Sequence, residues 1–128
     1  MEILASRVLF RPSDYPVSLA FYRDALGLAI AREYPGGTVF FAGQSLIELA
    51  GHGQPADSTG PFPGALWLQV RDIHATSDEL QARGVTLARE ARQEPWGLYE
   101  MHVEDPDGID LIFVQIPADH PLRRDVRT

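Results

Sequence analysis

The sequence predicts an α+β protein made of two βαβββ modules, and three observations carry that expectation. A heptapeptide recurs: Gly27-Leu28-Ala29-Ile30-Ala31-Arg32-Glu33 matches Gly84-Val85-Thr86-Leu87-Ala88-Arg89-Glu90, with four of seven positions identical and the others conservative or small. Strand and helix periodicities follow in the same order around each copy. A stretch rich in glycine and proline, Gly51 to Gly64, lies between the two runs and has neither period. A repeat of this length indicates duplication of a supersecondary unit that cannot bury its apolar face alone.

The first module spans residues 3–50. Ile3 to Arg11 reads as a strand, with Val8 and Phe10 facing one side and Arg7, Leu9 and Arg11 the other. Pro12-Ser13-Asp14 opens a helix, capped by Ser13 or Asp14 with Pro16 in its first turn. Val17, Ala20, Phe21 and Leu26 are its expected apolar stripe, and Gly27 its stop. Leu28–Tyr34, Thr38–Ala42 and Ser45–Ala50 follow as strands of a meander, broken by Pro35-Gly36-Gly37 and Gly43-Gln44.

Residues 51–64 are a linker, and the second module covers 65–116. Ala65 to Val70 is a strand with Leu66, Leu68 and Val70 on one face and Ala65, Trp67 and Gln69 on the other. Asp72 caps a helix carrying Ile73, Thr76 and Leu80, ended by Gly84. Val85–Ala91, Leu98–Glu104 and Ile109–Gln115 are the remaining strands, the last two joined by the turn Asp105-Pro106-Asp107-Gly108. The tail, 117–128, is expected to be irregular or lightly docked.

Composition narrows the function. One domain is expected from 128 residues, and 45% hydrophobic residues suffice for a core. There is no cysteine, which removes disulfides, thiolate metal sites and thiol nucleophiles. All 11 basic residues are arginine, so a lysine Schiff base is excluded. The net charge of −7 opposes non-specific nucleic-acid binding and suits a cationic ligand, though it also serves solubility. No apolar run is long enough to span a membrane and no signal peptide is recognisable, so a cytoplasmic location and no membrane partner are expected.

The motifs Phe21-Tyr22 with Leu26-Gly27-Leu28, then Val70-x-Asp72-Ile73, Gly84-Val85, Trp96-Gly97 and Asp105-Pro106-Asp107-Gly108, carry a family likeness. Over about residues 4 to 115 the chain resembles the vicinal-oxygen-chelate superfamily of glyoxalases, bleomycin-resistance proteins and dioxygenases. The resemblance implies a glyoxalase-like fold: two βαβββ modules forming a curved mixed sheet around a cavity, paired within one chain or across a dimer. The Trp-Gly and Asp-Pro-Asp-Gly pair looks most like the bleomycin-resistance branch, whose members are generally dimeric, metal-free binders of drug-like molecules. Each motif also has an ordinary structural role, because glycines stop helices and Asp-Pro-Asp-Gly is a tight turn in any protein.

In the enzymes of this superfamily a divalent metal is held by four side chains on the first and last strands of each module, generally His, Gln or Glu. Carried over position by position, those places hold Arg7, Glu48, Ala65 and Ile112. Arginine repels a metal, and alanine and isoleucine cannot ligate one. His52, His74 and His120 fall in the linker, the second helix and the tail; only His102 lies on a cavity-facing strand. No metal and no cofactor are therefore expected.

Positions sharing parity with the lost ligands form the expected binding surface: Arg7, Leu9, Glu48, Trp67, Gln69, Glu100, His102 and Ile112, with Phe40 or Phe41 and the nearby Trp96. Apolar and aromatic groups with a few polar ones are the usual lining of a small-molecule site. Arg7 and Glu48 are expected to pair as ions, or each to meet another partner. Trp67 is a stacking platform or an interface residue.

The leading expectation is a metal-independent small-molecule binder rather than an enzyme: a homodimer that sequesters an aromatic or cationic drug-like compound, as in antibiotic resistance. The alternative is a metal-dependent lyase, isomerase or dioxygenase with altered ligands, using Glu48 and His102. A third reading is a module acting only through protein partners.

Overall fold

The computed structural model of the chain describes residues 1–52, 62 and 64–121, so most of the expected linker and the end of the tail lie outside the described residues. The chain divides into two compact units, Met1–Pro61 with Asp105–Gly108, and Phe62–Glu104 with Ile109–Thr128. Each contains one βαβββ module, so the duplicated α+β architecture expected from the sequence is present.

In the first unit the elements are β1 (Val8–Phe10), α1 (Tyr15–Ala20) continued by a π-helical turn (Phe21–Ala25), β2 (Ile30–Tyr34), β3 (Gly37–Ala42) and β4 (Ser45–Ala50). The sheet order is β1-β4-β3-β2, with β1 parallel to β4 and the other pairs antiparallel. Asp14 caps α1 by accepting from the Val17 N–H, with proline in the first turn. Strand β1 is shorter than Ile3–Arg11, because only Val8, Leu9 and Phe10 have partners on β4. The expected alternation still holds: Val8 and Phe10 pair with the buried Ile47 and Leu49, and Leu9 pairs with Glu48.

The helix presents a different face from the expected one. Ser18 and Tyr22 are buried, while Val17 is half exposed and Ala20 is exposed. Serine and tyrosine read as outward residues by hydropathy. Tyr22 instead buries its ring against Phe10, Phe21 and Phe40 and satisfies its hydroxyl internally. The helix ends in a π turn, Leu26 N–H to Phe21 C=O, and Gly27 follows at φ 70.

In the second unit the elements are β5 (Ala65–Gln69), α2 (Ile73–Ala82), β6 (Arg89–Gln93), β7 (Tyr99–Glu104) and β8 (Asp110–Gln115). Their order, β5-β8-β7-β6 with β5 parallel to β8, repeats that of the first unit. Asp72 accepts from the His74 and Ala75 N–H groups and caps α2 as expected. Ile73 and Leu80 are buried, as are Met101, Val103, Leu111 and Phe113 on alternate positions of the sheet. Strand β6 starts later than Val85, because the chain after Arg83 first closes the helix. The Gly84 N–H bonds Gln81 C=O and the Val85 N–H bonds Leu80 C=O, with Gly84 at φ 85. No helix among the described residues is long and apolar enough to cross a membrane.

Candidate functional site

Strand parity places two sets of polar and aromatic side chains on the sheet faces opposite the buried apolar rows. In the first unit the set centres on Glu48. Its Oε1 accepts from Arg7 Nη1 at 3.0 Å, and its Oε2 accepts from the Tyr34 hydroxyl. The Tyr34 hydroxyl also lies 3.3 Å from His52 Nε2, and the Arg32 guanidinium sits 5.2 Å from the centre of the Tyr34 ring. Glu48 is only 8% exposed, whereas the Arg7 side chain keeps 40% of its surface. The Tyr34 hydrogen bond is the main influence holding the Glu48 carboxyl below its ordinary range; burial opposes it and Arg7 reinforces it. The Tyr34 phenol is raised by the same hydrogen bond, then by burial. The chemical result is a carboxylate with one hydrogen bond already made at each oxygen.

Tyr34 takes this position because it pairs with Gly37 across the β2–β3 turn. A Cβ built on Gly37 would meet the Tyr34 ring at 2.2 Å, so the tyrosine lies over a backbone that only glycine provides.

In the second unit Trp67 pairs with Ile112, and Ile112 pairs with His102. Cross-strand partners point to the same face, so these three form one row. Trp67 is 48% exposed and stands opposite the core side of β5, as its neighbours Leu66 and Leu68 predicted. His102 Nδ1 lies 2.9 and 3.2 Å from the two carboxylate oxygens of Asp110. Beside this row, Trp96 Nε1 donates to Glu100 Oε2 at 2.8 Å and so partners a buried carboxylate. His120 Nε2 approaches Trp96 C=O at 3.0 Å, which docks the start of the tail on this turn. Val114, on the same face, is covered by Leu98 and Ile116, leaving Ile112 at the margin of that cluster.

The expected site residues therefore separate into groups. Arg7 meets Glu48; Trp67, Ile112 and His102 share a row; Trp96 meets Glu100. Phe40 is a correction. It is fully buried against Tyr22 and pairs with Ile47, so it belongs to the helix-side core; Phe41, 52% exposed, is the phenylalanine with Glu48's parity. Two adjacent phenylalanines leave the parity of β3 undetermined from sequence, and only its register with β4 resolves it. Tyr34 and Asp110 are not among the residues the sequence pattern singles out, and His52, expected only as a linker residue, lies beside Tyr34. The signal for Tyr34 was available, because Arg32 and Tyr34 share parity in β2; the approach of Asp110 to His102 depends on the β7–β8 register.

The residues present do not fit the metal of the superfamily's enzymes. Of the four positions, Glu48 alone is a ligand type, and both its oxygens are engaged by Arg7 and Tyr34. Among the described residues no three His, Asp or Glu side chains are grouped so as to hold a metal ion.

Two four-stranded βαβββ sheets of one order, with parity-matched polar faces, define the vicinal-oxygen-chelate class. The profile of the Glyoxalase/Bleomycin resistance protein/Dioxygenase superfamily matches residues 5–113, and the chain belongs to that superfamily. A probable lactoylglutathione lyase of Synechocystis is 33% identical over 119 residues, covering 84% of this chain and 91% of the relative. The lactoylglutathione lyase of Haemophilus influenzae is 31% identical over 127 residues, covering 90% and 93%. A glyoxalase/bleomycin resistance protein/dioxygenase from Nocardioides superposes with a TM-score of 0.72 at 18% identity, covering 94% of this chain and 89% of that one.

Proposed function

We propose that this protein is a metal-independent binder of an aromatic or cationic drug-like small molecule, of the metal-free bleomycin-resistance kind, acting as a homodimer. The observation that carries the reading is the fate of the metal positions. Arg7 places a fixed positive charge at one of them and engages Glu48 at another. Ala65 and Ile112 offer no donor atom. On the helix-free sheet faces the proposed ligand contacts are Arg7, Glu48, Trp67, Trp96, Glu100, His102 and Ile112.

Quenching of tryptophan fluorescence by a panel of planar aromatic and cationic compounds tests this, with Trp96→Phe isolating the signal of Trp67. Saturable quenching below the millimolar range supports binding; silence across the panel defeats it. Sedimentation at several concentrations tests the dimer.

The names of the relatives favour a second reading, a metal-dependent lyase with rearranged ligands. Metal analysis of protein purified without chelators discriminates. Stoichiometric nickel, zinc, manganese or iron would establish the second reading over the first.

A further inference from the structure

The row Trp67–Ile112–His102 has a polar end whose chemistry is more specific than general affinity for aromatic rings. An ionised Asp110 carboxylate can only accept hydrogen bonds. With both its oxygens near His102 Nδ1, that nitrogen carries the hydrogen of the neutral ring. Nε2 is then left as the acceptor. The His102 side chain keeps 26% of its surface, so it is accessible in part. At the other end stands the half-exposed indole of Trp67, with the half-buried, purely apolar Ile112 between them. Each step between neighbouring strands is about 4.8 Å, so the backbones at the two ends lie on the order of 10 Å apart. This matches the long dimension of a fused-ring aromatic.

We infer that this strip selects a planar fused-ring aromatic carrying a hydroxyl or N–H donor. The rings stack on Trp67 and lie over Ile112, and the donor reaches His102 Nε2. Asp110 is a positioning residue: it fixes the tautomer and orientation of His102 without touching the ligand. The inference rests on the binding reading above and names its ligand class. A pair that served only to tie β7 to β8 would confer no preference between donor-bearing and donor-less ligands.

A matched pair of probes separates the two, 2-hydroxyphenazine and 2-methoxyphenazine, titrated by calorimetry. The hydroxyl compound is expected to bind at least tenfold more tightly to the native protein. His102→Phe should abolish that preference, read as the ratio of the two affinities in the same variant. Asp110→Ala should reduce the preference several-fold, and Asp110→Asn, whose carbonyl can still accept from Nδ1, should restore it. Circular dichroism confirms that each variant is folded. Equal affinity for the two probes, or a preference that survives His102→Phe, overturns the inference while leaving the binding reading intact. If neither probe binds, the inference falls, and the wider panel decides whether the binding reading falls with it.

Discussion

The Tyr22 hydroxyl donates to Asp105 Oδ2 at 2.9 Å, joining residues 83 positions apart in the chain. Tyr22 belongs to the Phe-Tyr motif and Asp105 opens the Asp-Pro-Asp-Gly motif, so two sequence signatures of the superfamily are one buried hydrogen bond. The other Asp105 oxygen accepts from the Asp107 N–H at 2.8 Å, and Asp107 accepts from the Ser13 N–H and hydroxyl. The turn thereby holds the entrance of α1.

Replacing Tyr22 with Phe should cost about 1–3 kcal/mol, because a buried carboxylate oxygen loses its donor. Denaturant unfolding at pH 7 measures it. The pH dependence carries a further signature. Burial, and then the Asp105 charge, raise the Tyr22 phenol far above its ordinary value of 10.0. A raised group contributes stability that is fully present below the unfolded value and is lost as pH rises above it. The deficit of Tyr22→Phe should therefore shrink above pH 10.

Glu48 titrates in the opposite sense. Its folded value is lowered from 4.5, so its contribution is present above that pH and is lost as the pH falls through the folded value. Glu48→Gln should cost about 1–2 kcal/mol at pH 7, with the difference from the native protein closing in acid. Arg7→Ala should cost under ~1 kcal/mol, because its side chain is 40% exposed and solvent screens the pair. A Glu48→Gln deficit independent of pH would show that the charge is not what stabilises.

Phe40→Ala and Phe41→Ala should differ sharply although the residues are adjacent. Phe40 is completely buried and its loss opens a cavity costing about 3–5 kcal/mol. Phe41 is half exposed, and its truncation should cost under ~1 kcal/mol. Paired denaturation curves decide, and equal costs would contradict the observed register of β3.

Gly37→Ala should destabilise by about 1–3 kcal/mol through collision with the Tyr34 ring. In a Tyr34→Ala background the same change should be nearly neutral, so the double-mutant cycle should show strong coupling. Additive costs would locate the strain in the backbone instead.

The sequence alone determined the duplicated βαβββ plan, the Asp72 cap, a first cap at Ser13 or Asp14, the Gly27 and Gly84 stops, and the outward face of Trp67. These depend on local rules: periodicity, side-chain capping and the freedom of glycine at positive φ. It also identified Arg7 and Glu48 as potential partners, because their positions could be carried over from the family. What only the tertiary structure decided were contacts between residues far apart in the chain. It turned the α1 stripe onto Ser18 and Tyr22, sent Phe40 inward and Phe41 outward, and set Tyr34 over Gly37 against Glu48. It also brought Asp110 to His102. The physical reason is common to these cases. A tyrosine, serine or histidine is acceptable inside or outside until a specific partner satisfies its polar atom, and strand register, not local pattern, chooses that partner.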